Sequence, residues 1–481
     1  MSAKRRLAEL ERHRALAAVV EAAAGPVYLV GGSVRDLLMD RDLHDLDLAL
    51  SGPLEGVAAR AARTLGARAV PMGRPPLTMF RLVHHGLILD LCPLEGPDIE
   101  TDLCRRDLTV NAMGLELEAG GRIGRLVDPC GGRRDLETRK ARFVSEANVL
   151  ADPLRMLRLF RFSAVLGLEP DPDSLALVAR HAARIQTSAG ERVREELLQL
   201  LAAPRAAETV GRMLDQGLLE ALVPELTVLR GLGQNEFHHL DVLAHTMLAF
   251  SELEAALDGA FLPGWAGAIQ DWLSRPGRPA RLKLALLLHD LGKPAAFGHT
   301  EDGRVHFYNH DRIGRDMALE IGDRMRLSVE ERDEIGFLIR HHLHIFHLHE
   351  ARRQGGLTRR GVFRFARLAG DRLWGLVLHA WADAAATLGP AQQEQGGPAA
   401  LREFLDDLLG EIELQRRAAD RAPNLVTGRD LMQALDLEPS PLIGRLLEAV
   451  AEARALGRIA TREEALALAR DVLERGEMEA D

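Results

Sequence analysis

The chain is poor in cysteine, contains no long apolar run and carries no excess of positive charge. It has only three cysteines, Cys92, Cys104 and Cys130, and they lack metal-ligand spacing. So few thiols suit a reducing cytoplasm. No stretch approaches the roughly 20 apolar residues of a membrane span, and residues 7–12 do not supply the apolar core of a signal peptide. We therefore expect a cytoplasmic protein without a membrane partner.

The charge and length limit the classes of function further. A net charge of −10 argues against a broadly basic nucleic-acid coat, so an RNA-binding protein of this composition would have to gather its arginines locally. A length of 481 residues with 47% hydrophobic residues is ample for packed cores. It corresponds to about three domains at roughly 100–200 residues each. There is no internal repeat.

Two carboxylates lie inside an apolar run at residues 43–50, which read LHDLDLAL. In a β-strand, side chains at i and i+2 leave the same face roughly 7 Å apart. Asp45 and Asp47 would therefore point together, while Leu46 and Leu48 enter a core. Mg²⁺ prefers carboxylate oxygens combined with substrate phosphates, so the pair is a candidate magnesium site.

A glycine pair, Gly31 and Gly32, precedes the carboxylates at a place where a phosphate tail would lie. Downstream, residues 86–91 form a short apolar strand pattern that delivers a further carboxylate, Asp90. A tight turn and a solvated strand face are the structural alternatives. Taken together, the order and closeness of these features favour metal-assisted phosphoryl transfer.

Four motifs, in this order, resemble those of class II tRNA nucleotidyltransferases and bacterial poly(A) polymerases. They are Gly31-Gly32-x-x-Arg35-Asp36, Asp45-x-Asp47, Arg105-Arg106-Asp107-x-Thr109-x-Asn111-Ala112 and Asp152-x-x-Arg155, followed by Glu191-Arg192-Val193. The resemblance spans about the first half of the chain. It implies an α+β protein whose polymerase-β-like nucleotidyltransferase head, a small mixed sheet with helices, covers residues 1–140. An all-α neck would cover residues 141–228.

The resemblance also implies roles. Asp45 and Asp47 would bind Mg²⁺ and support transfer of CMP from CTP to a tRNA 3′ end, and Asp90 is a catalytic candidate as a base or supporting ligand. Asp107 is expected to orient the two arginines before it. The nucleotide-binding candidates are Gly31, Gly32, Arg35, Arg105, Arg106, Asp107, Asn111, Asp152, Arg155 and Arg158.

Asp152 and Arg155 are expected to select the base. At i and i+3 of a helical pattern they would share a face and offer an acceptor-only group beside a donor-only fork. Cytosine and adenine both present an amino donor next to an acceptor, whereas guanine and uracil present a carbonyl where Asp152 needs a donor. The alternative is a surface ion pair worth under about 1 kcal/mol. Ala151 departs from the glutamate that the family usually has there.

The segment 91–104 between the third carboxylate and the Arg-Arg-Asp motif is short. Enzymes of this family that add all of CCA have a long flexible loop there. The resemblance therefore implies an enzyme that adds the two cytidines, with full CCA addition and use of ATP as alternatives. A separate A-adding enzyme would then be a partner.

A second constellation follows, in the order His, His-Asp, Asp. It resembles the HD metal-dependent phosphohydrolase superfamily and implies an HD domain over residues 229–395, followed by a helical, tRNA-binding tail over 396–481. The implied metal ligands are His245, His289, Asp290 and Asp383, and the candidates for a second metal or the substrate are His310, His341 and His342, of which one of the last two is expected. Imidazole with carboxylate suits Mn²⁺, Ni²⁺ or Co²⁺. The expected reaction removes 2′,3′-cyclic or terminal phosphates from damaged RNA ends.

Three other functions compete with this interpretation. An A-adding enzyme would differ in starting from a C-C end, and a poly(A) polymerase would share the head motifs. From another class, an HD phosphodiesterase could carry a non-catalytic, RNA-binding head. The intact Asp45-x-Asp47 pair argues against an inactive head.

Overall fold

The structure is a computed structural model that describes residues 3–43, 45–73, 78–234, 239–301, 303–387, 396–421, 425–455 and 457–475. The chain divides into two compact units, Met1–Pro224 and Glu225–Asp481. The predicted head and neck fall in the first unit and the predicted HD domain and tail in the second. The finer four-part division stays a prediction. Among the described residues, no helix combines the length and the apolar character needed to cross a membrane.

The first unit combines a mixed sheet with helices. Its strands are β1 Val27–Val30, β2 Asp45–Leu50, β3 Ala69–Met72, β4 Met79–His84, β5 Leu87–Pro93, β6 Gly114–Glu118, β7 Arg122–Val127, β8 Lys140–Ala141 and β9 Glu169–Pro170. Its helices are α1 Ala3–Ala22, α2 Gly32–Leu38, α3 Leu54–Leu65, α4 Ile99–Cys104, α5 Gly132–Glu137, α6 Glu146–Ala151, α7 Leu154–Leu166, α8 Pro172–His181, α9 Gly190–Ala202, α10 Ala206–Asp215 and α11 Leu218–Leu222. Short 3₁₀ turns cover Thr109–Asn111, Ala119–Gly121 and Ala182–Thr187, and another, Pro224–Leu229, begins at the last residue of the unit.

Seven of these strands form one sheet in the order β3-β4-β5-β2-β1-β6-β7. Strands β2 and β5 are parallel neighbours near its centre, whereas β1 runs antiparallel to both β2 and β6. The sheet therefore brings the carboxylate-bearing strands side by side, although about forty residues separate them in sequence.

Alternation along β2 sets the two faces of the sheet. Leu46 and Leu48 are fully buried and pack in a core with residues of α1 and α3. Burying each such leucine contributes roughly 1.5–3 kcal/mol. On the opposite face, Ala49 packs with Ile99 and Leu103 of α4. Asp45 and Asp47 belong to this second face and lie at the start of the strand, as the alternating pattern predicts.

The second unit is largely helical. Its helices are α12 Val242–Ala256, α13 Ala266–Leu273, α14 Arg278–Leu288, α15 Lys293–Ala296, α16 His310–Arg324, α17 Val329–His341, α18 His344–Arg353, α19 Arg359–Ala369, α20 Leu373–Ala386, α21 Gly397–Arg421, α22 Gly428–Leu435, α23 Pro441–Ala455 and α24 Arg462–Glu474, with 3₁₀ turns at Pro263–Trp265 and Gly370–Arg372. The capping box predicted at Thr461 and Glu464 is present at the start of α24.

One element of the second unit departs from the nearly all-helical prediction. Strands β10 Phe297–His299 and β11 Val305–Phe307 form an antiparallel hairpin between α15 and α16. Three-residue strands are too short for a period of two to be visible in the sequence. With this addition, the predicted α+β class is confirmed.

Candidate active sites

The central strands bring three acidic residues together. Asp47 of β2 lies directly opposite Asp90 of β5 in the parallel register, and Asp45 precedes Asp47 on the same face. Ser33 of α2 fixes the carboxylate-bearing strand, because its hydroxyl donates to the Asp45 carbonyl oxygen at 3.1 Å and accepts from the Asp47 amide at 2.8 Å. Sequence reasoning missed Ser33, since nothing in the sequence shows that α2 touches β2.

The carboxylates differ in their partners. Burial, together with repulsion from Asp90 and Asp45, raises the pKa of Asp47 above its usual value. Asp90 is buried, and both of its oxygens accept from Arg81 of β4, at 2.8 Å from Nε and 2.7 Å from Nη2. A polar cavity lies beside these strands. Asp45 and Asp47 line it, whereas Asp90 is not among its described lining residues. A divalent cation would relieve the repulsion at Asp47, so this donor set fits Mg²⁺.

The glycine pair makes room for an arginine. Gly31 has φ +66°, and a Cβ there would lie 2.6 Å from Nη1 of Arg106. Arg106 is held in turn by Asp102, whose Oδ2 accepts from its Nη2 at 3.0 Å. Arg105 lies 3.8 Å from Glu95. The predicted orientation of these two arginines by Asp107 is therefore wrong, because Asp102 and Glu95 take that place.

Asp107 instead belongs to a buried chain of polar contacts. Arg35 donates to Asn111 Oδ1 at 2.6 Å, and Asn111 Nδ2 donates to Asp107 Oδ1 at 3.1 Å. The other Asp107 oxygen lies 3.0 Å from Nη2 of Arg158. Asp36 holds the far side of Arg35 through two hydrogen bonds. Four predicted site residues are thus one connected network, in which each side chain restrains the next.

The network faces a polar cavity of about 700 Å³. Phe162 lies beneath three of the guanidinium groups, with ring centroid distances of 4.9 Å to Arg35, 5.6 Å to Arg158 and 3.9 Å to Arg161. Glu196 pairs with both Arg158 and Arg161. Arginine forks match phosphate oxygens. The cavity therefore combines carboxylates that could hold a metal with guanidinium groups that could donate hydrogen bonds to a phosphate. Phe162 and Arg161 lie in the arginine-rich pattern of residues 151–162 but were not predicted as site residues.

The predicted base-selecting pair is close together, but not as two residues of one helix. Helix α6 ends at Ala151, Asp152 is extended with φ −140° and ψ +92°, and α7 begins at Leu154. Pro153 explains the break, because a residue before proline is disfavoured in the helical region. Arg155 donates to the backbone oxygen of Arg106 at 3.0 Å.

Asp152 has an ion-pair partner that the sequence did not reveal. Arg192 of α9 donates to its two oxygens at 3.2 and 2.8 Å. Burial opposes ionisation, but the hydrogen bonds and charge of Arg192 hold the pKa of Asp152 below its usual value. Asp152, Arg155 and Arg106 all line the same cavity.

The short segment 91–104 is ordered by its own contacts. Strand β5 continues to Pro93, and α4 begins after Asp98, whose side chain accepts from the Thr101 amide at 2.8 Å. Asp102 accepts from the Glu95 amide at 3.0 Å. At its end, Cys104 Sγ lies 3.4 Å from Cys130 Sγ, and both cysteines are free thiols.

In the second unit, imidazoles and carboxylates from several helices converge. Two groups of three have ligand atoms within 4.8 Å of one another, His245-His289-Asp290 and Asp290-His310-His342. Asp290 is common to both. Asp383 of α20 joins the first group, because its Oδ1 lies 2.9 Å from His245 Nε2. The sequence-predicted first-metal ligands are therefore assembled.

Backbone carbonyl groups fix three of the imidazoles. The Nδ1 atoms of His289, His310 and His342 lie 2.7, 2.8 and 2.7 Å from the carbonyl oxygens of Leu286, Phe307 and Ile339. Since a carbonyl oxygen only accepts, each Nδ1 carries a proton, and Nε2 is the nitrogen left for a metal. This is the tautomer that a metal ligand needs.

The centre of this cluster is buried and incompletely satisfied. Asp290 Oδ2 lies 3.2 Å from His289 Nε2 and 2.7 Å from Lys293 Nζ, but within the described part of the chain neither oxygen of Asp290 nor His289 Nε2 makes a hydrogen bond of good geometry. Burial opposes ionisation, yet the charges of His289 and Lys293 hold the pKa of Asp290 well below its usual value. Buried polar atoms of this kind normally have partners, so the donor set fits a bound metal.

The structure selects one of the two adjacent histidines. His342 is buried with its Nε2 3.2 Å from His310 Nε2. The His341 ring instead lies 4.5 Å from that of Phe337, with planes inclined by 52°, and His341 is in neither group of converging ligand atoms. The prediction of His341 as a ligand or substrate contact is therefore wrong. Consecutive residues of a helix point about 100° apart, so only one of the two histidines can face the cluster.

His379 is a member of the cluster that sequence reasoning did not single out. Its ring is fully buried 5.1 Å from the His289 ring, one helical turn before Asp383. Its i, i+4 relation to Asp383 was the available signal.

Families of known proteins match parts of both units. The family of the poly A polymerase head domain matches residues 27–74 and 90–142, and the probable RNA and SrmB-binding site of polymerase A matches 167–229. The HD domain family matches residues 240–363, and tRNA nucleotidyltransferase domain 2 matches 415–469.

Two curated relatives are similar over nearly the whole chain. An A-adding tRNA nucleotidyltransferase of Deinococcus radiodurans is 37% identical, covering 91% of this chain and 94% of the relative. A CC-adding tRNA nucleotidyltransferase of Thermus thermophilus is 35% identical, covering 91% of this chain and 92% of the relative. A solved structure of the Thermotoga maritima CCA-adding enzyme with tRNA has the same fold, with a TM-score of 0.64 and 20% identity over 98% of this chain and 96% of that one. The chain therefore belongs to the class II tRNA nucleotidyltransferase family and carries an HD domain.

Proposed function

We propose that this protein adds cytidines from CTP to the 3′ ends of tRNA in the cytoplasm, at the cavity that contains Asp45 and Asp47. The observation that carries the proposal is the position of these two carboxylates, which share a strand face and line one cavity with a set of arginines. Mg²⁺, when bound there, supplies charge stabilisation to the triphosphate and to the attacking 3′-hydroxyl oxygen.

The residues of the chain would divide the remaining work. Asp45 and Asp47 hold the cations, and Asp90, opposite Asp47 on the neighbouring strand and paired with Arg81, is the candidate for a base or a supporting ligand. Arg106 and the network that contains Arg35 and Arg158 would bind the triphosphate. The 3′-hydroxyl oxygen then attacks the α-phosphorus, the bond to the β-phosphate oxygen breaks, and pyrophosphate leaves.

Asp152 and Arg155 favour cytosine over adenine on hydrogen-bond count. Cytosine offers its amino group to a carboxylate and both a ring nitrogen and a carbonyl oxygen to a guanidinium fork. Adenine offers the amino group and a single ring nitrogen on the same edge. The Asp152 carboxylate has lone pairs beyond those used by Arg192, so it can accept the amino group with the ion pair in place.

The ordered segment 91–104 supports addition of one kind of base. Within the segment, Asp98 and Asp102 accept hydrogen bonds from backbone amides. Few of its residues are therefore free to move and reshape the pocket from one that fits cytosine to one that fits adenine. Completion of the CCA end would then need a separate A-adding enzyme. Addition of A alone is the second candidate, favoured by the similarity to the A-adding relative.

The second proposed activity is metal-dependent phosphohydrolysis at the HD cluster. The three imidazoles whose Nε2 atoms lie around Asp290 support it. A metal such as Mn²⁺, Ni²⁺ or Co²⁺, when bound, would activate water and polarise the phosphate. Water adds to phosphorus, one ester P–O bond breaks, and the released oxygen takes a proton, which opens a 2′,3′-cyclic phosphate or removes a terminal one.

The first experiment measures incorporation on tRNAs that end at the discriminator base, at C, and at C-C, each with CTP, ATP or both. Stopping after two cytidines with both nucleotides present supports the proposal. A completed CCA end refutes the single-base interpretation of segment 91–104, addition only to the C-C end identifies an A-adding enzyme, and long adenosine tails identify a poly(A) polymerase.

A pair of variants separates the two sites. Asp45→Ala is expected to abolish incorporation and to keep phosphohydrolysis, and His289→Ala is expected to do the reverse. Hydrolysis without incorporation in the unmodified protein would indicate an HD phosphodiesterase with an RNA-binding head. Loss of both activities from either single change would contradict two independent sites.

A further inference from the structure

The cavity beside the HD cluster has an exposed aromatic ring in its wall. Tyr308 is 67% exposed, and its ring stacks on that of His306, with centroids 4.0 Å apart and planes inclined by 22°. Both residues line a cavity of about 460 Å³ together with Asp290 and His310. A cavity of this size holds more than a phosphate group, since sites for small molecules begin at about 300 Å³.

The ring is supported from behind. His306 of β11 pairs with Gly298 of β10, and a Cβ on Gly298 would lie 2.6 Å from the His306 ring. The imidazole thus occupies the space that a side chain at 298 would take. Because one face of Tyr308 rests on this imidazole, its opposite face is the one left for a ligand in the cavity that both residues line.

The ring is also linked to the cluster. His310 is two residues after Tyr308 and opens α16, and its Nδ1 donates to the carbonyl oxygen of Phe307 at 2.8 Å. Asn309 between them is left-handed with φ +63°, a conformation that asparagine tolerates better than most residues. One short turn therefore sets the distance from the aromatic face to the predicted phosphate position.

We propose that Tyr308, backed by His306, is a stacking platform for the nucleobase of the substrate. The HD site would then act on phosphates carried by a nucleoside, at the end of an RNA or as a free nucleotide, in preference to phosphate esters that lack a base. Stacking tolerates every base, because each has a π-face. Such tolerance suits a site that repairs ends of varied sequence. The inference rests on the proposed phosphohydrolase function.

The test compares two substrates that differ only in the base. Adenosine 2′,3′-cyclic monophosphate and methyl riboside 2′,3′-cyclic phosphate share the sugar and the cyclic ester. The full chain, assayed with Mn²⁺, Ni²⁺ or Co²⁺, is expected to prefer the adenosine compound in kcat/KM by about tenfold to a hundredfold. Tyr308→Ala should bring this ratio close to one, and Tyr308→Phe, which keeps the ring, should preserve it.

A control variant comes from the same hairpin. Phe297 is exposed and is not among the described residues that line the cavity. Phe297→Ala should therefore keep the wild-type ratio of kcat/KM. A lower ratio in Phe297→Ala would show that substrate preference depends on the hairpin as a whole and not on the Tyr308 ring. A wild-type ratio near one, or an unchanged ratio in Tyr308→Ala, overturns the platform while leaving the phosphohydrolase intact.

Failure of the hydrolase itself gives a different result. If neither cyclic phosphate is hydrolysed with any of the three metals, the proposed HD activity is wrong. Binding of adenosine 2′-monophosphate, measured by equilibrium dialysis in an Asp45→Ala background to reduce binding at the other site, then tests the platform alone. Affinity that falls at least tenfold in Tyr308→Ala supports it, and equal affinity overturns it.

Discussion

The repulsion at Asp47 predicts opposite effects of one substitution on the free and the ligand-bound protein. Asp47→Asn keeps the shape of the side chain but removes its charge. Because burial and Asp90 raise the pKa of Asp47, the folded state binds this proton more tightly than the unfolded chain does. Asp47 therefore lowers stability as the pH rises through its folded pKa, and Asp47→Asn should stabilise the metal-free protein at neutral pH.

The size of the effect follows from the sheet. Asp47 and Asp90 are opposite each other in neighbouring strands, so their charges lie about 5 Å apart and would repel by about 3 kcal/mol at an effective dielectric constant of 20. The two hydrogen bonds from Arg81 to Asp90 offset much of this. We expect a gain of about 1 kcal/mol, or about 2–4 °C in Tm for a unit of this size.

Ligand should reverse the order of stabilities. MgCTP at about 100 times its Kd stabilises a site by about 2.7 kcal/mol, and Asp47→Asn should lose most of this shift. The measurement is calorimetry in EDTA and in MgCTP. The four tryptophans lie at residues 265, 272, 374 and 381, so their fluorescence identifies the transition of the second unit.

Acid provides the control for this prediction. Below the usual pKa of an aspartate, Asp47 is protonated in both the folded and the unfolded chain, because folding raises its pKa, and the two proteins should melt alike. A metal-free variant that is less stable than wild type at pH 7.5, or that keeps the full MgCTP shift, would refute the electrostatic account of this site.

Three further substitutions test other parts of the structure. His342→Ala should weaken metal binding in the HD cluster by at least about tenfold to a hundredfold in calorimetric titration, and His341→Ala should leave it unchanged; equal losses would contradict the assignment of the inner histidine. Arg192→Ala should raise KM for CTP more than it lowers kcat, because Asp152 loses the ion pair that orients it, and an unchanged KM would make that pair incidental. Gly31→Ala should cost about 1–2 kcal/mol, measured by chemical denaturation, since the new Cβ meets a guanidinium group and the backbone is left-handed; a neutral effect would show that the turn can relax.

The shared face of Asp45 and Asp47 could be predicted from the sequence because it depends on a local pattern, whereas the fold of the head was implied by the resemblance of its motifs to a known family. Alternation along residues 45–50 sets which side chains share a face, and it holds in the structure. The helical continuation from Ala151 through Asp152 was wrong, although Pro153 carried the signal for the break. A steric rule about the residue before proline should have outweighed the apparent helical spacing.

Partners of the arginines could not be predicted, because they depend on contacts between distant segments. Asp107 lies beside Arg106 in sequence, yet Asp102 holds Arg106, and Asp107 pairs with Arg158 of α7. Adjacent residues on a turn point in different directions, so neighbourhood along the chain says little about pairing. In the HD cluster, similarly, only the rotation of α17 decides which of two consecutive histidines is buried.

Asp102 lies between segment 91–104 and two arginines, Arg106 and Arg155, that were predicted to bind the nucleotide. Its Oδ1 accepts from the backbone amide of Glu95 and its Oδ2 binds Arg106, while the Arg106 carbonyl oxygen accepts from Arg155. Hydrogen bonds therefore connect segment 91–104 to the side chain of Arg106, and the backbone of Arg106 to Arg155. A rearrangement of the segment for a second base would have to break the contact between Asp102 and Arg106, the arginine that we propose binds the triphosphate. On the proposed function, these contacts favour one arrangement of the nucleotide pocket, which is the physical reason to expect one kind of base per enzyme.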